Sequence, residues 1–187
     1  MKGPLRSFWT RTKRFEISRI TVAHSQFWPC HNAAGHRIMK SRSRIVVIRK
    51  ARSSDALSIA ELSGELGYPA TAKDISQRMR KLEAAAPNAL FVAESPGAGV
   101  VGWTHVSVTH LVEHGRRAEL NSLIVAEGQR SLGAGSKLLA AAEAWARKHG
   151  CPSMSVRSNV VRQRAHTFYQ REGYEHYKTQ KAFRKKL

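Results

Sequence analysis

From Ile45 onward the apolar positions settle into regular spacings that switch between the period of a strand and that of a helix. Ile45 to Ile48 is a β-branched run and reads as a strand. Ser54 and Asp55 then offer a helix N-cap ahead of Leu57, Ile59, Ala60 and Leu62, with Gly64 and Gly67 at the exit. Thr71 caps a second helix whose Ile75, Met79 and Leu82 share one face and which ends before Pro87. Ala89 to Glu94 and Val100 to Leu111 are strands, and Ser95-Pro-Gly-Ala-Gly99 between them has the chemistry of a hairpin turn. A further strand runs over Leu120 to Val125, extended back to Glu119 when its polar start is included.

A glycine-bearing turn, Arg130 to Gly135, leads into a long helix over Ser136 to His149, whose Leu138, Leu139, Ala142, Trp145 and Ala146 form the buried stripe. Gly150 and Pro152 end it. Met154 to Ser158 reads as a strand, Arg162 to Arg171 as a helix closed by Gly173, and Tyr174 onward as a strand pair or a tail. No internal repeat is visible. The order β-α-α-β-β-β-α-β-α-β describes an α/β layer with helices on both faces of one mixed sheet.

Residues 1–44 behave differently. Apart from Ile17 to Val22 they hold no sustained period, and they carry ten Lys and Arg against the single acid Glu16. That is +9 of a formal +19 for the 187-residue chain. The expected organisation is a basic, poorly ordered N-terminal extension over 1–44, or a start placed too far upstream with Met39 as the natural beginning, followed by one folded domain over 45–187. Cys30 stands among His24, His31 and His36, but one thiol falls short of the usual structural zinc set, so no metal is expected. Two cysteines, no secretory signal and no apolar run long enough to cross a bilayer point to a cytoplasmic protein without a membrane partner. The positive field attracts anions of any kind, which leaves nucleic acid and phosphorylated cofactors both in play.

Chemistry is concentrated in Leu123-Ile-Val-Ala-Glu-Gly-Gln-Arg130-Ser-Leu-Gly133-Ala-Gly135-Ser-Lys-Leu-Leu139. Here a strand passes through a glycine turn straight into an amphipathic helix. Backbone N–H groups at such a helix start converge, and the helix dipole adds partial positive charge, so the turn suits a pyrophosphate. Gly133 and Gly135 would let oxygen atoms approach closely, and Arg130 would add charge at the edge. The glycine spacing fits neither a dinucleotide fingerprint nor a P-loop. A second motif follows, Asn159-Val-Val-Arg-Gln-Arg-Ala165-His166-Thr-Phe168-Tyr169-Gln-Arg-Glu-Gly173-Tyr174, in which Ala165 and Phe168 face the core and Tyr169 can reach the rim of a cleft.

The pair of motifs, Arg-x-x-Gly-x-Gly opening a helix and then Asn…Ala-His-x-Phe-Tyr-x-x-x-Gly-Tyr, resembles the GNAT N-acetyltransferase superfamily over roughly Ile45 to the end. The resemblance implies a mixed, mostly antiparallel sheet splayed between its fourth and fifth strands, with acetyl-CoA as co-substrate in the gap. It implies that Leu123, Ile124 and Val125 offer main-chain groups to the pantetheine. Arg130, Ser131, Leu132, Gly133, Ala134, Gly135 and Ser136 would wrap the pyrophosphate, and Asn159 would hydrogen-bond the cofactor's arm. Tyr169 matches the tyrosine that protonates the departing thiolate. Glu127-Gly128 and Gln129-Arg-Ser-Leu132 depart from the usual Asp-Pro and Arg-Gly of the pattern but leave a backbone cradle possible.

Direct transfer to an amine needs a base, an oxyanion donor such as a strand-bulge N–H, and an acid for the thiolate. Glu119 is the candidate base, directly or through water; its alternative is an ion pair with Arg116 or Arg117. His105 is a weaker candidate for the base, read first as structural or substrate-lining, and His166 is read as positional. Within the superfamily the chain is similar to aminoalkylphosphonate and other small-amine N-acetyltransferases, so the expected acceptor is a small primary amine such as an aminophosphonate or an amino acid derivative. Polyamines and aminoglycosides are polycations that call for clustered acids, scarce here. Acetylation of protein lysines or N-termini is the alternative within the enzyme class. The rival class is a basic nucleic-acid-binding protein using the arm and the cluster Lys178, Lys181, Arg184, Lys185 and Lys186, but no recognition motif accompanies the charge. A homodimer is compatible with all of this.

Overall fold

The computed structural model describes residues 45–85 and 87–187. The basic extension over 1–44 and the histidine-flanked Cys30 lie outside the described residues. Five strands form one sheet in the order β1-β2-β3-β4-β5: β1 Val47–Lys50, β2 Asn88–Ser95, β3 Gly99–Leu111, β4 Gly115–Val125 and β5 Met154–Val156. The first four are antiparallel neighbours, and β5 runs parallel to β4. The helices are α1 Ala56–Glu65, α2 Ala72–Glu83, α3 Ala134–Lys148 and α4 Gln163–Arg171. This is the splayed α/β layer that the motifs imply.

Period-two alternation assigns the two faces of the sheet. Val92, Trp103 and Ile124 pack with Ile59, Ile75 and Met79 of α1 and α2 on one face. Val106, Ala118 and Leu120 pack with Leu139, Ala142 and Ala146 of α3 on the other, where Ala93 and Val101 meet Leu138. Leu120, Leu138 and Leu139 are all but closed to solvent, each a burial of about 2 kcal/mol. Trp145 is only half-buried and lies over the His149 ring at 4.1 Å.

The second helix starts as its sequence dictates. Thr71 Oγ1 accepts from the Asp74 amide at 3.1 Å while the Asp74 carboxylate accepts from the Thr71 amide at 3.0 Å, a reciprocal capping box. The first helix does not. Ser53–Asp55 forms a short 3₁₀ turn, and no side chain caps α1. The Asp55 carboxylate is drawn instead to Arg49 of β1, whose guanidinium donates to it at 2.7 and 2.9 Å. That guanidinium holds the Asp55 carboxyl below the usual carboxylate range, helped by the Arg52 amide. At the C-terminus the tail, not the strand pair, is what forms: the chain beyond Gly173 has no regular element. Among the described residues no helix is long and apolar enough to cross a membrane.

Candidate active site

The sheet opens where the two sequence motifs meet. β5 pairs with β4 only at Ala118, Leu120 and the Glu119 between them, whereas β4 continues unpaired on that side to Val125. The pairing of β3 with β4 also slips at this level. His105 faces Ser122 and Val106 faces Leu120, which leaves Asn121 as the extra residue of a β-bulge. Leu123, Ile124 and Val125 therefore line the open side beyond the bulge. The Val125 carbonyl already accepts from Arg130 Nε at 3.0 Å.

β4 feeds the glycine turn. After a 3₁₀ turn at Glu127–Gln129, Ser131 takes φ 64, a left-handed value and unique among the non-glycine described residues. Gly133 follows at φ 82 as the N-cap of α3, and no side chain caps that helix. The helix start is thus a set of backbone donors left without side-chain partners, beside the opened sheet. The two glycines have different reasons for being there. Gly133 has open space around it and serves a left-handed backbone. A Cβ at Gly135 would meet the Phe168 ring of α4 at 3.3 Å, so its small size also admits a helix contact.

Side chains around the turn are partly committed. Ser136 Oγ donates to Glu172 at 2.7 Å. Arg130 is held back on β4, with Glu127 at 3.8 Å. Arg164, at the start of α4, donates to Ser131 Oγ at 3.2 Å and so brings a cation to the turn. Sequence reasoning missed Arg164, although its place one turn before Phe168 was a usable signal.

The second motif builds the facing wall. Asn159 Oδ1 accepts from the Val161 amide at 3.1 Å, and its carbonyl accepts from the Arg162 amide at 2.9 Å and lies 3.0 Å from His166 Nε2. His166 therefore holds the turn that carries Asn159. Tyr169 packs edge-on against Phe168 and Tyr174, at 5.2 and 5.7 Å between ring centroids. Burial pushes its phenol up to about 12, with Arg162 pulling weakly the other way.

On the opposite face, α1 and α2 roof a pocket of about 290 Å³ over β2, β3 and β4. Its lining is mainly apolar, and among the described residues it holds Arg78 as a cation and no carboxylate. Trp103 and His105 of β3 both line it, and the Trp103 Nε1 and His105 Nε2 atoms are buried without a hydrogen-bond partner. Burial lowers the His105 imidazole from its ordinary value. Glu119, buried on β4, is fully engaged: Ser155 Oγ donates to it at 2.7 Å, Arg157 Nε lies 3.1 Å away and Arg117 is at 3.7 Å. Arg116, its other expected partner, turns instead to the His149 carbonyl at 2.9 Å.

Known proteins resemble this arrangement closely. The model of the acetyltransferase (GNAT) family matches residues 57–174. The uncharacterized N-acetyltransferase YhfO of Bacillus subtilis is 31% identical over 133 residues, covering 68% of this chain and 89% of that protein. An aminoglycoside N(6')-acetyltransferase type 1 of Stenotrophomonas maltophilia is 30% identical over 132 residues, 68% of this chain and 85% of that one. An aminoalkylphosphonate N-acetyltransferase of Salmonella typhimurium is 33% identical over 99 residues, 51% of this chain and 64% of that one. Among solved structures, the aminoglycoside N-acetyltransferase AAC(6')-Iy in complex with CoA superposes with a TM-score of 0.69 at 19% identity, over 79% of this chain and 99% of that one. That last likeness speaks to the fold.

Proposed function

This chain belongs to the GNAT family of N-acetyltransferases and uses acetyl-CoA as its acetyl donor, and on that premise we propose that it acetylates a small primary amine that also carries an anionic group, such as an aminophosphonate or an amino acid derivative. The observation that carries this reading is the α1–α2 pocket. At about 290 Å³ it suits a compact acceptor, and with Arg78 on its wall and no carboxylate among its described lining residues it favours an anionic substituent over a polycation. The aminoglycoside-acetylating relative shows that the family also serves polycations, which makes the lack of acids in this pocket the discriminating feature.

In this reading the main chain of Leu123, Ile124 and Val125 receives the pantetheine. The turn Arg130, Ser131, Leu132, Gly133, Ala134, Gly135 and Ser136 receives the pyrophosphate, supported by the uncapped α3 N-terminus. Arg164 adds a cation from α4, and Asn159 presents its amide nitrogen from the turn that His166 braces. The amine attacks the thioester carbonyl, the oxyanion is met by backbone N–H at the Asn121 bulge, and the C–S bond breaks. Tyr169 donates a proton to the leaving thiolate; its raised phenol keeps that proton at neutral pH. Glu119, held by Ser155, Arg157 and Arg117, ties β5 to β4 just below the point where they part.

The test is thiol release from acetyl-CoA by the full chain, screened over aminoalkylphosphonates, amino acids, polyamines, aminoglycosides and peptides. Turnover concentrated in the first two groups is expected. Turnover confined to polyamines or aminoglycosides would overturn the substrate class.

A further inference from the structure

We propose that His105 is the group that takes the proton from the acceptor amine, an assignment that rests on the small-amine reading above. His105 lies on β3 directly across from Ser122 of β4, at the step where the bulge leaves Asn121 over. It is therefore one strand away from the backbone along which the thioester is proposed to lie, about 5 Å in a sheet. It belongs to the face roofed by α1 and α2, and it lines the pocket together with Ser122.

Two buried polar atoms on that wall lack partners. Trp103 and His105 stand two residues apart on β3 and both line the same pocket, with Nε1 and Nε2 themselves closed to solvent. Leaving such an atom unsatisfied costs about 1–3 kcal/mol, and a fold carries that cost where a ligand supplies the partner. The two atoms differ in what they ask for. An indole N–H only donates, so Trp103 calls for an oxygen or another acceptor on the substrate. An imidazole with its proton on Nδ1 presents a lone pair at Nε2 and calls for an N–H, which an ammonium provides.

The surroundings keep that lone pair available. From α2 the pocket presents Arg78, and from the loop after α1 it presents the phenol of Tyr68. β2 contributes Leu90 and β4 contributes Ser122, both uncharged. Glu119, further along β4, has its oxygens taken by Ser155, Arg157 and Arg117. No carboxylate on the lining stabilises an imidazolium, and burial lowers its affinity for a proton, so the ring is neutral when the amine arrives. Glu119 would have to give up one of its partners to serve as base, which makes His105 the readier acceptor.

The protons balance. An ammonium becomes an amide by losing two. The first passes to His105 Nε2, and the imidazolium releases it to water once product leaves and the pocket reopens. The freed nitrogen forms the C–N bond, the C–S bond breaks, and Tyr169 protonates the thiolate. The second proton, leaving the nitrogen as the amide forms, restores the phenol.

The experiment compares the full chain with His105→Gln and His105→Ala, using the best amine from the thiol-release screen. For His105→Gln, kcat at saturating amine is expected to fall roughly 10²-fold or more. The acid limb of the wild-type profile, where activity is lost as the imidazole protonates below its ordinary value, is expected to vanish, and acetyl-CoA affinity by calorimetry to stay within about twofold. In His105→Ala, added imidazole should restore part of the lost rate. Unchanged kcat and an unchanged acid limb in His105→Gln, with acetyl-CoA still bound, overturn the assignment and leave the acetyltransferase reading standing. Thiol release with no amine in the screen overturns both.

Discussion

Placing one methyl group on β3 should weaken both the fold and the grip on acetyl-CoA. Gly102 sits between β2 and β4, paired with Ala93 on one side and Val125 on the other. A Cβ there would lie 2.6 Å from the Ile124 carbonyl oxygen, 3.2 Å from Val125 Cγ2 and 3.3 Å from Leu138 Cδ1. The nearest atom is backbone, and it belongs to a strand fixed by its ladder to β3, so no rotamer change relieves the contact. To reach ordinary contact at 3.4 Å, β4 must retreat by about 0.8 Å into a close-packed layer. Overpacking costs about 1–3 kcal/mol, and a backbone collision belongs near the top of that range. For a chain of this size roughly 3 kcal/mol corresponds to a Tm lowered by about 6–12 °C. Ile124 is also one of the main-chain positions proposed for the pantetheine, so Gly102→Ala should raise the calorimetric Kd for acetyl-CoA as well. Gly128→Ala is the control: nothing lies within 4 Å of a Cβ there, and its expected effect is within about 0.5 kcal/mol. A Gly102→Ala protein that melts within about 2 °C of the unaltered chain and binds acetyl-CoA equally well would refute the packing argument.

Other perturbations separate the remaining contributions. Tyr169→Phe should lower kcat about 10²-fold with little change in acetyl-CoA affinity. Because the phenol is pushed up to about 12, the unaltered chain should show no alkaline limb from this group below that value, and one near 10 would count against it. Gly133→Ala forces a Cβ onto a backbone at φ 82, so a loss of about 1–2 kcal/mol and weaker acetyl-CoA binding are expected; an unchanged Kd would detach the turn from the cofactor. Asp55→Asn removes the charge that Arg49 holds in place and should cost about 2 kcal/mol near neutral pH. Since the folded Asp55 carboxyl is depressed, its contribution is complete above the unfolded value of about 3.9 and is lost as pH falls through the lower folded value. The stability gap between the two proteins should close over that window in acid denaturation, and a gap that stays constant to pH 2 would refute the pairing.

What could be read from the chain was whatever local chemistry decides. Thr71 and Asp74 are three residues apart and need nothing else to build their cap. The hairpin between β2 and β3 follows from Pro96, Gly97 and Gly99, and Ser95 pairs with Gly99 as such a turn requires. The converse holds for features set by distant partners. Asp55 resembled a cap by position; its carboxylate takes the Arg52 amide at the turn's start but is shared with Arg49 of β1, a partner no local pattern shows. β4 begins at Gly115, earlier than its apolar run, because Arg116 and Arg117 occupy ladder positions without looking like strand residues. The packing of Gly135 against Phe168, 33 positions later, and the bulge at Asn121, which exists only in the register between two strands, leave no mark in the local sequence. The candidate site was legible as a pair of motifs; the pocket beside it was not, since α1, α2 and β3 contribute to it from stretches with no motif of their own.

The division of labour within β3 explains why. Adjacent residues of a strand look in opposite directions, so Val106 enters the dry layer against α3 while His105, its neighbour, enters the pocket under α1 and α2. The α3 side is almost wholly apolar: Val106, Ala118, Leu138 and Ala142 are fully closed to solvent there, and the buried Thr104 hydroxyl is spent on the Ser122 carbonyl. The other side tolerates two orphaned ring nitrogens in a wall otherwise suited to a core. A period-two pattern in sequence reveals the first set as hydrophobic and leaves the second as interruptions, indistinguishable from residues facing water. Burial is what turns His105 from such an interruption into a reagent, because the helices that exclude water from the ring also deny it the proton it would otherwise carry.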